Sequence, residues 1–116
     1  VDAGWDPDDP VSSMFSESGN APYTALGDAT LHDGLSFQGG DSLVEKAEIL
    51  LRAAIAAVLN ADNPNVSYAA SSAIIIDVVN DALDSQDVGF ILGLAYILDF
   101  ENNAGCPLGN GNGNGR

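Results

Sequence analysis

The stretch Ser42–Asn60, SLVEKAEILLRAAIAAVLN, decides how this chain folds. Between Ile49 and Leu59 every residue except Arg52 is apolar. A helix that is apolar nearly all round has to be enclosed on several sides. That run is too short to span a bilayer, and a charged residue sits inside it. The stretch therefore predicts a buried central helix wrapped by other segments. Its start is well marked. Ser42-Leu-Val-Glu45 fits a capping box, in which the Ser hydroxyl accepts from the Glu45 amide and the Glu carboxylate accepts from the Ser42 amide. Asp41, Glu45 and Glu48 lie at the positive end of the helix dipole. Ala53, Ala54, Ala56 and Ala57 favour helix and let neighbouring helices press close. Asn60 and the run Asp62-Asn63-Pro64-Asn65 end it.

Downstream, Val66–Ala70 is a short connection with Tyr68 as a lid on the core. Ser71 or Ser72 caps a second helix. Its polar residues Asp77, Asn80, Asp81 and Asp84 recur at i, i+3, i+4 and i+7, with Ile74, Ile75, Val78, Val79, Ala82 and Leu83 around the remainder. Ile74-Ile75-Ile76 has strand propensity, but the polar stripe runs at helical period. Ser85-Gln86-Asp87 turns the chain into a third helix, again almost wholly apolar from Val88 to Leu98. Gly89 and Gly93 share one face of it and predict close approach of another helix. Asn102, Asn103 and Gly105 read as a helix C-terminus, with Pro107 beyond it. Leu108–Arg116, LGNGNGNGR, is low-complexity and reads as a flexible tail or linker to a longer parent.

Upstream of the central helix the patterns are shorter. Val1–Pro10 reads as a loop carrying Trp5 onto the core, and Val11–Phe15 as one helical turn. Ser16–Pro22 reads as a polar loop. Thr30–Phe37 offers Leu31 and Leu35 at helical spacing, with Asp28 or Thr30 as cap and Gly34 weakening it. Gly39-Gly40 breaks the chain. The predicted architecture is all-α: three main helices, about 42–60, 71–84 and 87–103, with one or two short N-terminal helices and an irregular N-terminal loop. Short connections make consecutive helices antiparallel. Residues 1–108 form one domain and 109–116 the linker.

Seventeen acidic residues face three basic ones, a formal charge of −14, and the acids are thirteen Asp to four Glu. Such a chain repels nucleic-acid phosphates and anionic membranes. Three explanations stand for the acidity: solvation in high salt, where screening relieves self-repulsion; calcium binding, since Ca²⁺ prefers carboxylate oxygens; or a soluble surface without a specific role. No signal peptide or transmembrane segment is visible, and Val1 in place of Met fits a processed or excised piece or a mature secreted protein.

The runs LSFQGG (Leu35–Gly40), ILLRAAIAAVLNA (Ile49–Ala61), NPNVSY (Asn63–Tyr68), VVNDAL (Val78–Leu83) and LDFENNAGCPL (Leu98–Leu108) together resemble a module of many bacterial and archaeal secreted and cell-surface proteins. That group reads approximately LSLQGG, LLRxAVAALLNA, HPxVxYP, a helix containing VNAAL, and LDxxNNxGCPL. The resemblance covers about residues 31–108 in matching order. The group opens with a Cys followed by a GYWK-type segment, of which only Gly4-Trp5 is echoed here. The resemblance implies that Cys106 would pair with that missing Cys. In this chain it is then either a free thiol or bonded to something outside. It also implies an exported, often multi-domain surface protein, and it supplies no catalytic residue.

Direct chemical signatures are sparse. His32 is the only His, and no G-x-S-x-G pattern provides a nucleophile for it. His32 and Cys106, 74 residues apart, lack zinc-ligand spacing. Asp99 and Glu101 are the carboxylates closest to an apolar run, the basis for an alternative reading as a carboxylate hydrolase. Arg52, in the most apolar helix, needs a carboxylate or helix-end carbonyls as partner. Asp6, Asp8 and Asp9 place three carboxylates in one loop and are the best candidate for calcium, although no EF-hand pattern surrounds them. The leading expectation is a non-enzymatic, extracellular or cell-surface structural or interaction module from a salt-rich setting, with protein partners or self-assembly into a filament or other assembly. A calcium- or ligand-binding module is the alternative. Lateral assembly predicts an exposed apolar patch, from Ile74–Ile76 or Phe90–Leu94, and complete burial of both segments would defeat it.

Overall fold

The computed structural model describes residues 5–63, 68 and 70–105. The readings for Cys106 and the Gly/Asn tail lie outside those residues, as do those for residues 1–4 and 64–67. The fold is all-α. Three long helices, α4 (Leu43–Asp62), α5 (Ser72–Ser85) and α6 (Val88–Gly105), follow three short ones, α1 (Val11–Met14), α2 (Thr24–Asp28) and α3 (Leu31–Gly34), and a 3-10 turn at Ser16–Gly19. Among the described residues there is no strand, only a single antiparallel bridge between Pro10 and Thr30.

Helix α4 is the centre of the bundle, as its sequence predicts. Ala47, Leu50, Leu51, Ala54, Ile55, Ala57 and Val58 are wholly buried, and α6, α5 and α3 pack on it. The capping box is formed in full: the Ser42 hydroxyl accepts from the Glu45 amide and the Glu45 carboxylate accepts from the Ser42 amide, each at 3.1 Å. Those hydrogen bonds, led by the one from the Ser42 backbone, hold the Glu45 carboxyl below its ordinary value. Arg52 has no carboxylate partner among the described residues. Its guanidinium donates to the carbonyl of Phe37 at 2.9 Å and ties the segment after α3 to the side of α4.

Helix α5 starts at Ser71, whose hydroxyl accepts from the Ile74 amide. The isoleucine run is helical and splits by face: Ile75 is buried while Ile74 is 61% exposed. At the far end Gln86 takes the left-handed conformation at φ 55. The next residue, Asp87, caps α6, its carboxylate accepting from the amides of Gly89 (2.9 Å) and Phe90 (3.3 Å). This tight turn makes α5 and α6 sequence neighbours that also pack together.

The N-terminal third contains more structure than its composition predicts. The 3-10 turn at Ser16–Gly19 and helix α2 lie where the sequence reads as loop or gives no pattern. Ser18 is fully buried, and its hydroxyl donates to the Phe15 carbonyl at 2.7 Å. Gly27 packs directly on the Ser18 backbone, and any side chain there would strike the Ser18 carbonyl. Two long-range hydrogen bonds fasten this cap to α5: the Glu17 amide donates to Asn80 Oδ1 at 3.0 Å, and the Tyr23 hydroxyl donates to the Leu83 carbonyl at 2.8 Å. Tyr23 is buried, and that burial, with Asp84 nearby, pushes its phenol up. Helix α3 is capped by Thr30. The Trp5 indole donates to Asp62 Oδ2 at 3.3 Å, linking the chain's first described residue to the end of α4.

Candidate functional site

The carboxylates singled out in the sequence do not converge. Asp6 and Asp8 are exposed and Asp9 is half-buried. They serve the loop's own backbone: Asp6 Oδ1 accepts from the Asp8 amide (2.9 Å) and Asp9 Oδ2 from the Asp6 amide (3.2 Å). Among the described residues, no group of three or more His, Cys, Asp or Glu side chains is placed to hold a metal ion. Asp99 is exposed and Glu101 half-buried on α6. Helix residues two apart do not face each other. His32 lies exposed on the short helix α3.

The residues that do converge are polar and buried, and the sequence assigned them another role. Asn102 reads as part of a helix terminus, but it lies inside α6 and is only 3% exposed. Its Nδ2 donates to the Ala53 carbonyl of α4 at 3.0 Å. Its Oδ1 accepts from the Tyr68 hydroxyl at 2.8 Å and from Asn60 Nδ2 at 3.4 Å. The Ala53 carbonyl can only accept, which fixes the orientation of the Asn102 amide. One side chain thus joins α4, α6 and the α4–α5 connection. Asn60 Oδ1 is buried and has no hydrogen-bond partner among the described residues. The four residues come from three of the five runs quoted above, 49–61, 63–68 and 98–108, which meet in one polar clamp.

The clamp fixes which side of α6 is inside. Ile91, Ala95, Leu98 and Asn102, at i, i+4, i+7 and i+11, are the buried line. Gly89, Gly93, Tyr96, Ile97 and Phe100, at i, i+4, i+7, i+8 and i+11, form the opposite line. Tyr96 is 66% exposed, Ile97 60% and Phe100 69%, with Phe90 at 39% on the flank. With 150–250 Å² per aromatic side chain, these four leave roughly 450 Å² of apolar side chain in water. That falls in the range where the largest patch of a monomer is often functional. No charged residue lies on this line.

No family model, curated protein or solved structure matches the chain.

The two glycines depart from the sequence reading. They do not admit a neighbouring helix of this chain. Both are exposed; a Cβ on Gly93 would meet nothing within 4 Å, and one on Gly89 only Asp87 Oδ1. The surface they interrupt is therefore open groove beside bulky side chains. Among the described residues no helix is long and apolar enough to cross a membrane.

Proposed function

We propose that the chain is a non-enzymatic, extracellular or cell-surface interaction module that engages a protein partner through the outer line of α6. One observation carries the reading: the side of α6 farthest from the core is apolar, aromatic and uncharged on a chain of formal charge −14. Exposed apolar area costs about 25 cal/mol per Å² against burial, so an aromatic line of this size gains from being covered. The acidic remainder keeps the protein dispersed and suits a salt-rich medium, where screening is strong. The resemblance of residues 31–108 to an exported surface module supports the extracellular setting.

A photo-crosslinking side chain introduced at position 96 tests this in the full chain under its native conditions. The expected outcome is one discrete covalent adduct. The control is the same probe at position 77, where Asp77 is exposed on α5. Equal or absent labelling at the two positions sinks the reading.

A further inference from the structure

We infer that the occupant of the α6 face is a second copy of this chain, packed antiparallel, with the two-fold axis passing between Leu94 and Ala95. The inference rests on the interaction reading above and adds the partner and its register.

The exposed line of α6 is asymmetric along its length. Its N-terminal half holds Gly89 and Gly93, with open space at Gly93. Its C-terminal half holds Tyr96, Ile97 and Phe100, each at least 60% exposed. A face made of a groove and then a ridge is complementary to itself when one copy is reversed. A two-fold interface requires this: residue i meets j, and j meets i. The spacing fits one register. An axis between Leu94 and Ala95 sets Gly93 opposite Tyr96 and Gly89 opposite Phe100, twice over. Parallel packing would set glycine on glycine and ring on ring, leaving gaps and collisions.

Charge supports the same register. Helix α6 and its cap carry three acids, Asp87, Asp99 and Glu101. With that axis the positions level with them on the other copy are 102, 90 and 88, none of them acidic, and Asn102 itself is turned into the core. The glycines supply a further reason. Each costs helix stability of about 1 kcal/mol relative to Ala, and Gly93 has no packing role within the chain. Close approach of a second backbone gives it one. The size of the contact sets its strength. Two faces of this area bury on the order of 1,000 Å², the lower end for a specific interface. The dimer is therefore weak, and at −14 per copy it is opposed at low ionic strength and favoured by salt.

The test is sedimentation equilibrium of the full chain over a wide concentration range, at low salt and at about 1 M NaCl. A monomer–dimer equilibrium that tightens with salt is expected. Gly93→Leu fills the groove where the fold has room for it, so it should leave the helical content intact and weaken association about tenfold or more. Register is read by disulfide trapping in a Cys106→Ser background. The double variant Gly89→Cys/Phe100→Cys should cross-link into a dimer, while Gly89→Cys alone, which that register sets about 16 Å along the helix from its own copy, should not. Trapping by Gly89→Cys alone overturns the antiparallel register. A chain that stays monomeric at every concentration and salt, or a Gly93→Leu variant that associates as tightly as the parent, overturns the dimer. If the position-96 probe still gives a discrete adduct of a different mass, the interaction reading survives and only the identity of the partner fails. If neither experiment gives an adduct or a dimer, both readings fall.

Discussion

Helices α4 and α6 are both apolar nearly all round, yet only one of them is enclosed. Past Glu45, every residue of α4 is buried or half-buried, because α3, α5 and α6 cover it. Helix α6 lies against α4 and α5 and leaves five large apolar side chains, Val88, Phe90, Tyr96, Ile97 and Phe100, in water. The rule that an all-apolar helix must be enclosed holds within the chain for α4. For α6 the same rule points outside the chain. The difference also shows in the small residues. The alanines of α4 are consumed by internal packing, with Ala54 and Ala57 at 0% exposure, whereas Gly93 of α6 faces open space.

The sharpest way to break this comparison is to make the same substitution in both helices. Ile55 is 0% exposed and Ile97 is 60% exposed. Ile55→Ala should cost about 2–5 kcal/mol, the transfer term plus a cavity that the surrounding helices cannot collapse. Ile97→Ala should change the stability of the monomer by no more than about 0.5 kcal/mol. Urea denaturation at low protein concentration measures both. Comparable losses at the two positions would mean that the outer line of α6 is part of the core after all.

The second prediction concerns what keeps the two faces of α6 distinct. Asn102 is the polar residue on the buried line, and it holds α6 to α4 through the Ala53 carbonyl. Asn102→Ala should cost about 1–3 kcal/mol, because it leaves buried polar partners on α4 and the connection unsatisfied. Asn102→Leu should do no better, although it fills the volume, since Leu offers neither donor nor acceptor. Full recovery with Leu would show that packing alone orients α6.

These cases explain what was legible in the sequence. The capping box at Ser42 and the polar stripe of α5 are local patterns, and both helices start and end within two residues of where those patterns put them. The exposed side of α6 was not legible. Periodicity locates a face only when polar residues mark the outside, and on α6 the buried line contains Asn102 while the outer line contains Tyr96, Ile97 and Phe100. The patch therefore lies farther along the helix than the Phe90–Leu94 expectation, and the reason is a hydrogen bond to a residue 49 positions away. The N-terminal cap was missed for a related reason. Ser16–Gly19 has the composition of a loop, and Gly27 acquires its meaning only from contact with the Ser18 carbonyl. The loop of Asp6, Asp8 and Asp9 was legible as a cluster in sequence. Two of its three carboxylates, those of Asp6 and Asp9, accept from neighbouring amides, a use that composition does not distinguish from metal ligation.

The smallest effect separates the starts of the two helices. The Glu45 carboxyl is held below its ordinary value of 4.5 by hydrogen bonds from the Ser42 backbone and side chain. A carboxyl whose folded value is depressed adds stability above its unfolded value, and that stability is lost as pH falls through the folded one. Glu45 should therefore contribute fully at neutral pH and progressively less below about pH 4.5. Glu45→Gln should lower the neutral-pH melting temperature slightly and flatten its fall in acid, because Gln can still accept the hydrogen bond but does not titrate. Asp87→Asn removes the charge of the side chain that caps the other helix, α6. Stability curves for the three proteins between pH 3 and pH 7 read the outcome directly, since acid denaturation reports protonation of hydrogen-bonded carboxylates. If the Glu45→Gln curve runs parallel to the parent down to the lowest pH, the capping box of α4 acts through its geometry and not its charge. The two helix starts would then differ only in which side chain closes them.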